Sequence, residues 1–169
     1  MTHCARCGES TGPGIEPTKE KIVSNDVKDT SLFRGVRHIG IAVKDTDAAV
    51  KLFTSLFEAK HVETMVSEEN GLKLTFLQVA GANVELLEPI RDDVPVAKFL
   101  KNKGEGFHHI ALEVSDIGKV LANLKQAGVK LVDETPRRGA HGSLIAFIHP
   151  SSAHGVMIEL CQPVGEARP

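Results

Sequence analysis

The chain repeats part of its own sequence once, and this duplication limits the folds that it can adopt. HIGIAVKDTDAAVKLF, beginning at His38, matches HIALEVSDIGKVLANL, beginning at His109, in the pattern His-Ile-x-x-x-Val-x-Asp. Further along, VELLEP and IELCQP share Glu-Leu-x-x-Pro, so Glu85 follows His38 by 47 positions and Glu159 follows His109 by 50. Two matches at nearly equal spacing indicate a tandem duplication.

Each repeat has the pattern of a βαβββ unit. The leading strands, 37–43 and 108–114, end at Asp45 and Asp116, which we predict to be helix N-caps. An amphipathic helix follows each cap, and three predicted strands follow each helix: 60–66, 73–79 and 83–88, then 129–135, 143–149 and 156–162. Since neither half is large enough to bury its sheet alone, the halves are expected to share one core.

The remaining segments are two tails and a linker. The predicted organisation is a mostly disordered tail over 1–33, a first module over 34–92, a linking helix over 93–106, a second module over 107–163 and a tail over 164–169. The N-terminal tail contains Cys4 and Cys7. A lone Cys-x-x-Cys is a weak zinc signal, so two free cysteines are expected there.

Composition excludes several classes of function. The chain is 41% apolar and 25% charged, with a formal net charge of −2, which predicts a globular protein without a nucleic-acid or anionic-membrane surface. Its apolar runs are shorter than a membrane span, and three cysteines suit a reducing compartment. We therefore expect a soluble cytoplasmic protein, or a mitochondrial matrix protein if the tail is a leader.

Two adjacent histidines, His108 and His109, open the second repeat. Neighbouring residues on a regular strand point to opposite faces, so only one of them is expected to face a given site. The repeat selects His109, because it occupies the place of His38 and both are followed by Ile and a small residue.

The repeat also predicts a site. If the halves pack about a pseudo-two-fold axis, His38, Glu85, His109 and Glu159 converge on it. Buried glutamates are costly unless a cation compensates their charge. Two nitrogens and two oxygens suit a divalent first-row metal. The extra Glu85 would fill a position that a ferrous oxygenase leaves open, so Lewis-acid assistance of a proton transfer is favoured.

Several motifs resemble those of a known family. RHIGIAVKD, VELLEPI, VAKFLKNKGEGFHHIALEV, GAHGSLIAFIHP and GVMIELCQP are similar to the vicinal oxygen chelate (glyoxalase/dioxygenase-like) superfamily and, within it, to the methylmalonyl-CoA epimerase family, over about residues 36 to 163. The resemblance implies an α+β fold in which two tandem βαβββ modules form a curved mixed sheet around a metal site. It also implies a homodimer.

The activity that the resemblance implies is the interconversion of (R)- and (S)-methylmalonyl-CoA, an acyl-CoA reaction of propionate metabolism. Co²⁺ is the implied metal in vitro, with Mn²⁺, Ni²⁺ and Zn²⁺ as alternatives. By position, His38, His109 and Glu159 match family metal ligands, and Glu85 matches a ligand or its neighbour. Glu159 and Glu85 are then the expected acid–base pair.

The chain departs from the family pattern at two positions. Leu74 stands where some members carry a catalytic Glu, so the second base is either Glu85 or Glu69. Ser151 replaces a common lysine. The cationic residues that could take over the contacts of that lysine are Lys73, Arg137 and Arg138.

Three other functions compete with the epimerase. A glyoxalase I-type lactoylglutathione lyase would use the same four residues on a different substrate. A metal-free resistance protein usually stacks its ligand on aromatic side chains, and this chain has no Trp or Tyr. A purely structural metal site would be expected to contain sulfur.

Overall fold

The computed structural model describes residues 31–165, and the predicted tail with its Cys4–Cys7 pair lies almost wholly outside this range. The first repeat contains β1 (Phe33–Ala42), α1 (Thr46–Leu56), β2 (Lys60–Ser67), β3 (Leu72–Val79) and β4 (Ala82–Pro89). A connecting helix, α2 (Pro95–Lys103), precedes the second repeat, which contains β5 (Gly106–Val114), α3 (Ile117–Gln126), β6 (Arg137–Arg138), β7 (Leu144–Ile148) and β8 (Ile158–Gln162).

The equivalent helices α1 and α3 begin at the predicted caps. The Asp45 carboxylate accepts a hydrogen bond from the backbone N–H of Ala48, and the Asp116 carboxylate accepts one from that of Lys119, each at 2.9 Å. Each cap thereby satisfies a backbone donor that the first helical turn leaves free. The N-cap predictions are confirmed.

The eight strands form one mixed sheet in the order β2-β3-β4-β1-β5-β8-β7-β6. β1 pairs with β4 in parallel, and β5 pairs with β8 in parallel, whereas β1 and β5 meet antiparallel at the centre. At this junction His38 lies opposite Ala111 and Gly40 lies opposite His109, symmetrically about the Ile39–Ile110 pair. The pseudo-two-fold axis therefore passes through the middle of the sheet, and the predicted fold class is confirmed.

One predicted strand is wrong. Residues 129–135 are irregular apart from an isolated bridge from Leu131 to Ile148, and the outer strand of this half is the two-residue β6. The Asp133 carboxylate accepts the backbone N–H of Phe147 at 2.9 Å, while the N–H groups of Val132 and Asp133 both donate to the carbonyl of Phe147. The Asp133 carboxylate thus replaces the backbone carbonyl that would accept this hydrogen bond in a regular pair of strands.

Helices α1 and α3 cover one face of the sheet, and the opposite face, called the open face below, is covered only in part, by α2. Leu86 of β4 packs against α1, and Leu160 of β8 packs against α3. Side chains alternate along a strand, so Glu85 and Glu159 point to the opposite face. There α2 packs Val96 and Phe99 beside Leu74 and Leu87.

The longest helix in the described range has 11 residues, and no helix within residues 31–165 is long and apolar enough to cross a membrane.

Candidate metal centre and active site

The four residues predicted from the repeat meet on the open face of the sheet. His38 comes from β1, Glu85 from β4, His109 from β5 and Glu159 from β8. In each repeat the glutamate pairs with the residue two positions after the histidine, Gly40 in the first and Ala111 in the second. Because the duplication preserves this register, both histidine–glutamate pairs reach the axis from equivalent positions.

The polar atoms of this cluster are close together. The Nε2 atoms of His38 and His109 are 3.1 Å apart. Glu85 Oε2 lies 3.2 Å from Nε2 of His38 and 3.9 Å from that of His109, and Glu159 Oε2 lies 3.2 Å from Nε2 of His109. One potential ligand atom each from His38, His109 and Glu159 lies within 4.8 Å of the others. Two imidazole nitrogens at this distance need a proton or a metal ion between them.

The cluster is buried, and burial determines its electrostatics. None of the four residues exposes more than 9% of its surface. Burial opposes the charged form of His38, but the hydrogen bond to Glu85 and the negative charges of Glu85 and Glu159 outweigh it and raise the pKa of His38. Burial likewise opposes ionisation of Glu85, yet the hydrogen bond and charge of His38 lower its pKa. The surroundings of Glu85 therefore favour its ionised form, and two imidazoles with two carboxyl groups form a donor set that fits a divalent cation.

Gly40 makes room for one of the histidines. A Cβ atom at this position would lie 2.2 Å from Cε1 of His109, inside van der Waals contact. At the symmetric position, Ala111 is fully buried opposite His38. The glycine in the first repeat thus lets the imidazole of His109, from the second repeat, cross the backbone of β1.

The expectation that only one of the adjacent histidines faces the site is wrong. Both His108 and His109 line the same cavity. Along β5, His109 pairs with Gly40 and Phe107 pairs with Ile41. Because Gly40 and Ile41 are consecutive in β1, His108 is an extra residue with no partner in the pairing. Such a β-bulge interrupts the alternation of side chains. Burial, with the nearby charge of His109, lowers the pKa of His108 to about 4.

A cavity of about 920 Å³ opens over the cluster, and β-strands of both repeats and α2 contribute to its lining. Cys161 of β8 also lines it. Burial and the charge of Glu159 raise the pKa of the Cys161 thiol to about 11. Among the described residues, the potential ligand atoms that lie within 4.8 Å of one another come from His38, His109 and Glu159, and the Cys161 sulfur is not one of them.

The three cationic residues proposed to replace the missing lysine differ in whether they line the cavity. Lys73 lies outside the cavity lining, with its ammonium group 3.1 Å from Asp47 and 3.5 Å from Glu88. Arg138 also lies outside the lining. Arg137 alone of the three lines the cavity, with its guanidinium 5.4 Å from the Phe147 ring centroid.

Leu74, at the departure from the family pattern, and Glu69, one of the two candidates for the second base, differ in burial. Leu74 is 4% exposed and packs beside Leu87 and Val96, where it closes the floor of the cavity with apolar surface. Glu69 is an exposed residue of the lining. Of the three glutamates considered as acid–base groups, Glu85 and Glu159 are the buried ones.

Sequence reasoning missed the contacts that join the two repeats at the rim of the cavity. His141 Nε2 lies 2.8 Å from Glu63 Oε2, and its ring packs on Phe76 with centroids 5.0 Å apart. Arg137 donates a hydrogen bond to Asn70 Oδ1 at 3.1 Å. The Gly-Ala-His-Gly motif was visible in the sequence, and His141 within it has a left-handed φ of 53°. Its partner, Glu63 on β2, has no counterpart in the repeat pattern, so the repeat does not predict this contact.

Comparison with known proteins agrees with this geometry. A model of the glyoxalase/bleomycin resistance protein/dioxygenase superfamily matches residues 37–147. The mitochondrial methylmalonyl-CoA epimerase of Dictyostelium discoideum is 36% identical over 126 residues, covering 74% of this chain and 76% of the relative.

Solved structures show the same likeness. The crystal structure of methylmalonyl-CoA epimerase from Mycobacterium tuberculosis aligns with a TM-score of 0.76 at 37% identity, covering 83% of this chain and 95% of that one. A methylmalonyl-CoA epimerase in complex with methylmalonyl-CoA and NH₄⁺ aligns with a TM-score of 0.75 at 36% identity, covering 81% and 99%. With its duplicated βαβββ modules and central His–Glu cluster, the chain belongs to the methylmalonyl-CoA epimerase family of the glyoxalase superfamily.

Proposed function

We propose that this protein is a metal-dependent epimerase that interconverts (R)- and (S)-methylmalonyl-CoA. The observation that carries the proposal is the convergence of two buried histidines and two buried glutamates at the floor of one cavity, in a chain whose relatives are epimerases. Because those relatives are not lactoylglutathione lyases, they favour this activity over the glyoxalase I alternative.

His38, His109 and Glu159 would hold the divalent metal, with Glu85 as a fourth ligand or an immediate neighbour. The distances within the cluster and the burial of both carboxylates support this assignment. When bound, the metal supplies Lewis acidity that stabilises negative charge on the substrate oxygens. Imidazole and carboxylate ligands accept several first-row ions, and Co²⁺ is the ion that we propose for activity in vitro, ahead of Mn²⁺, Ni²⁺ and Zn²⁺.

Glu159 and Glu85 form the proposed acid–base pair. Epimerisation requires a base that removes the α-proton from one face of the carbon and an acid that returns a proton to the other face. The two glutamates come from opposite repeats, which supports their action on opposite faces, and both are 5% exposed. Glu69 is less favoured, because its side chain is open to solvent.

The substrate class is an acyl-CoA. A relative has been solved with methylmalonyl-CoA, and variants of the Streptomyces coelicolor enzyme with 2-nitronate-propionyl-CoA. We propose that Arg137, the only one of the three candidate cations in the cavity lining, provides positive charge for the acyl carboxylate or the coenzyme. A homodimer in the bacterial or mitochondrial propionate pathway is proposed from the same resemblance.

The experiment that tests this function is proton NMR of the Co²⁺-loaded protein with methylmalonyl-CoA in deuterium oxide. We expect the α-proton signal to disappear faster than in a chelator-treated sample. Glu159→Gln is expected to slow this exchange by at least about 100-fold, the scale of a lost general base. Glu58→Gln, an exposed change outside the cavity lining, is the matched control.

Absence of exchange in protein that demonstrably holds metal would contradict the epimerase assignment. Methylglyoxal with glutathione would then be the next substrate pair to assay. Wild-type exchange in Glu159→Gln would instead refute only the catalytic role of that residue.

A further inference from the structure

The bulge in β5 gives His109 a polar neighbour that a regular strand would not provide. His108 is the extra residue of the bulge, and its ring turns towards the same cavity. The two Nδ1 atoms lie 2.9 Å apart, which is hydrogen-bonding distance. The ring of Phe99 on α2 packs edge-on against His108 with centroids 4.9 Å apart. His108 is thus held in place from one side and contacts His109 on the other.

The two nitrogens of His109 consequently have different surroundings. Its Nε2 lies within the cluster, 3.1 Å from Nε2 of His38 and 3.2 Å from Glu159. Its Nδ1 points away from the cluster and lies 2.9 Å from Nδ1 of His108. A nitrogen that binds a metal must present a lone pair, so the ring proton of a metal-bound His109 belongs on Nδ1.

We propose that His108 is a positioning residue that accepts the Nδ1 proton of His109 and thereby holds the Nε2 lone pair towards the metal. This inference rests on the metal site of the proposed function. Metal-binding histidines usually donate this proton to a carboxylate, a backbone carbonyl or water. Here a neutral imidazole accepts it through Nδ1 and keeps its own proton on Nε2. This arrangement orients His109 without adding a third negative charge to a buried site that already contains two carboxylates.

The proposal predicts a specific pattern of metal affinities. His108→Phe keeps an aromatic ring beside Phe99 but removes the acceptor, and its Kd for Co²⁺ is expected to rise by about 10- to 100-fold in a titration of the metal-free full-length chain. His108→Asn restores an acceptor oxygen near the position of Nδ1 and is expected to recover most of that loss. His61→Phe, the same substitution at an exposed histidine on β2, is expected to bind Co²⁺ as the wild type does.

A second measurement uses the wild-type protein, so it does not depend on whether a variant folds. In Zn²⁺-loaded protein with ¹⁵N-labelled histidine, the Nδ1 proton of His109 is expected to exchange slowly with solvent and to show coupling to the nitrogens of both rings. A rapidly exchanging Nδ1 proton without coupling to His108 would overturn the proposal.

The outcomes separate this inference from the proposed function. If the wild type binds Co²⁺ tightly and His108→Phe binds it equally well, the positioning role is refuted and the metal site stands. If the wild type takes up no Co²⁺, both fail.

Discussion

At the scale of single residues, the geometry of the cluster depends on a glycine, Gly40, as well as on the proposed metal ligands. Gly40 lies opposite His109 on the central strand pair, and the imidazole crosses its Cα at a distance that leaves no space for Cβ. Protein interiors are close-packed, so such an overlap is relieved only by movement of the ring or the strand. The position of a metal ligand therefore depends on a residue with no functional group.

We predict that Gly40→Ala impairs function more than folding. The added methyl group must displace His109, and a ligand displaced by about 1 Å is expected to cost about 100-fold in activity. The measurement is Co²⁺ affinity together with α-proton exchange. Gly118→Ala, where a new Cβ would meet only Asp116 Oδ1 at 3.4 Å, is the control and should retain both properties. Wild-type affinity in Gly40→Ala would show that the ring can move without consequence.

At the scale of elements, the helices follow local rules that the strands do not. Asp45 caps α1 through the N–H of Ala48, and the same contact recurs at Asp116 in the second repeat. A cap is formed by residues three positions apart, so the sequence suffices to predict it. The segment 129–135 shows the opposite case, because a long-range hydrogen bond from Phe147 to Asp133 replaces the expected strand pairing.

We predict that Asp45→Ala lowers the free energy of unfolding by about 1 kcal/mol, the usual cost of a lost N-cap. Urea denaturation is the measurement. Lys51→Ala, an exposed change within the same helix, is the matched control and should alter the stability little. Equal stabilities of the two variants would mean that water replaces the capping carboxylate at no cost.

At the scale of the whole molecule, the cluster joins the two repeats. Each repeat supplies one histidine and one glutamate, and the rim contact between Glu63 and His141 joins them again. The rim pair is about half exposed and is expected to stabilise the fold little. A cation bound by ligands from both repeats would stabilise their association far more, because it binds the folded chain and not the separated halves.

We therefore predict that metal raises the melting temperature. A free Co²⁺ concentration of 100 times Kd corresponds to about 2.7 kcal/mol. For a domain of this size, that free energy corresponds to an increase of roughly 5 to 10 °C in scanning calorimetry. In His38→Ala, which lacks one proposed ligand, the increase should largely disappear. An unchanged melting temperature despite measured metal uptake would place the bound ion outside this junction.

The duplication made much of the architecture predictable. It determined the βαβββ order, the two helix caps and the four residues that meet on the axis, because equivalent positions of a repeat that shares one core must converge. The ligand and acid–base roles of those four residues remain proposals that the experiments above test.

The amino-acid sequence was sufficient to predict the repeat, its helix caps and its converging histidine–glutamate pairs, since these follow from short-range contacts or from symmetry. The three-dimensional structure was needed to show that His108 faces the same cavity as His109, that Arg137 lines this cavity while Lys73 does not, and that His141 contacts Glu63. These features depend on a strand bulge and on contacts between distant segments. The repeat and the hydrophobic periodicity do not reveal these features, because a bulge depends on how two strands pair and the other contacts join segments that are far apart in the sequence.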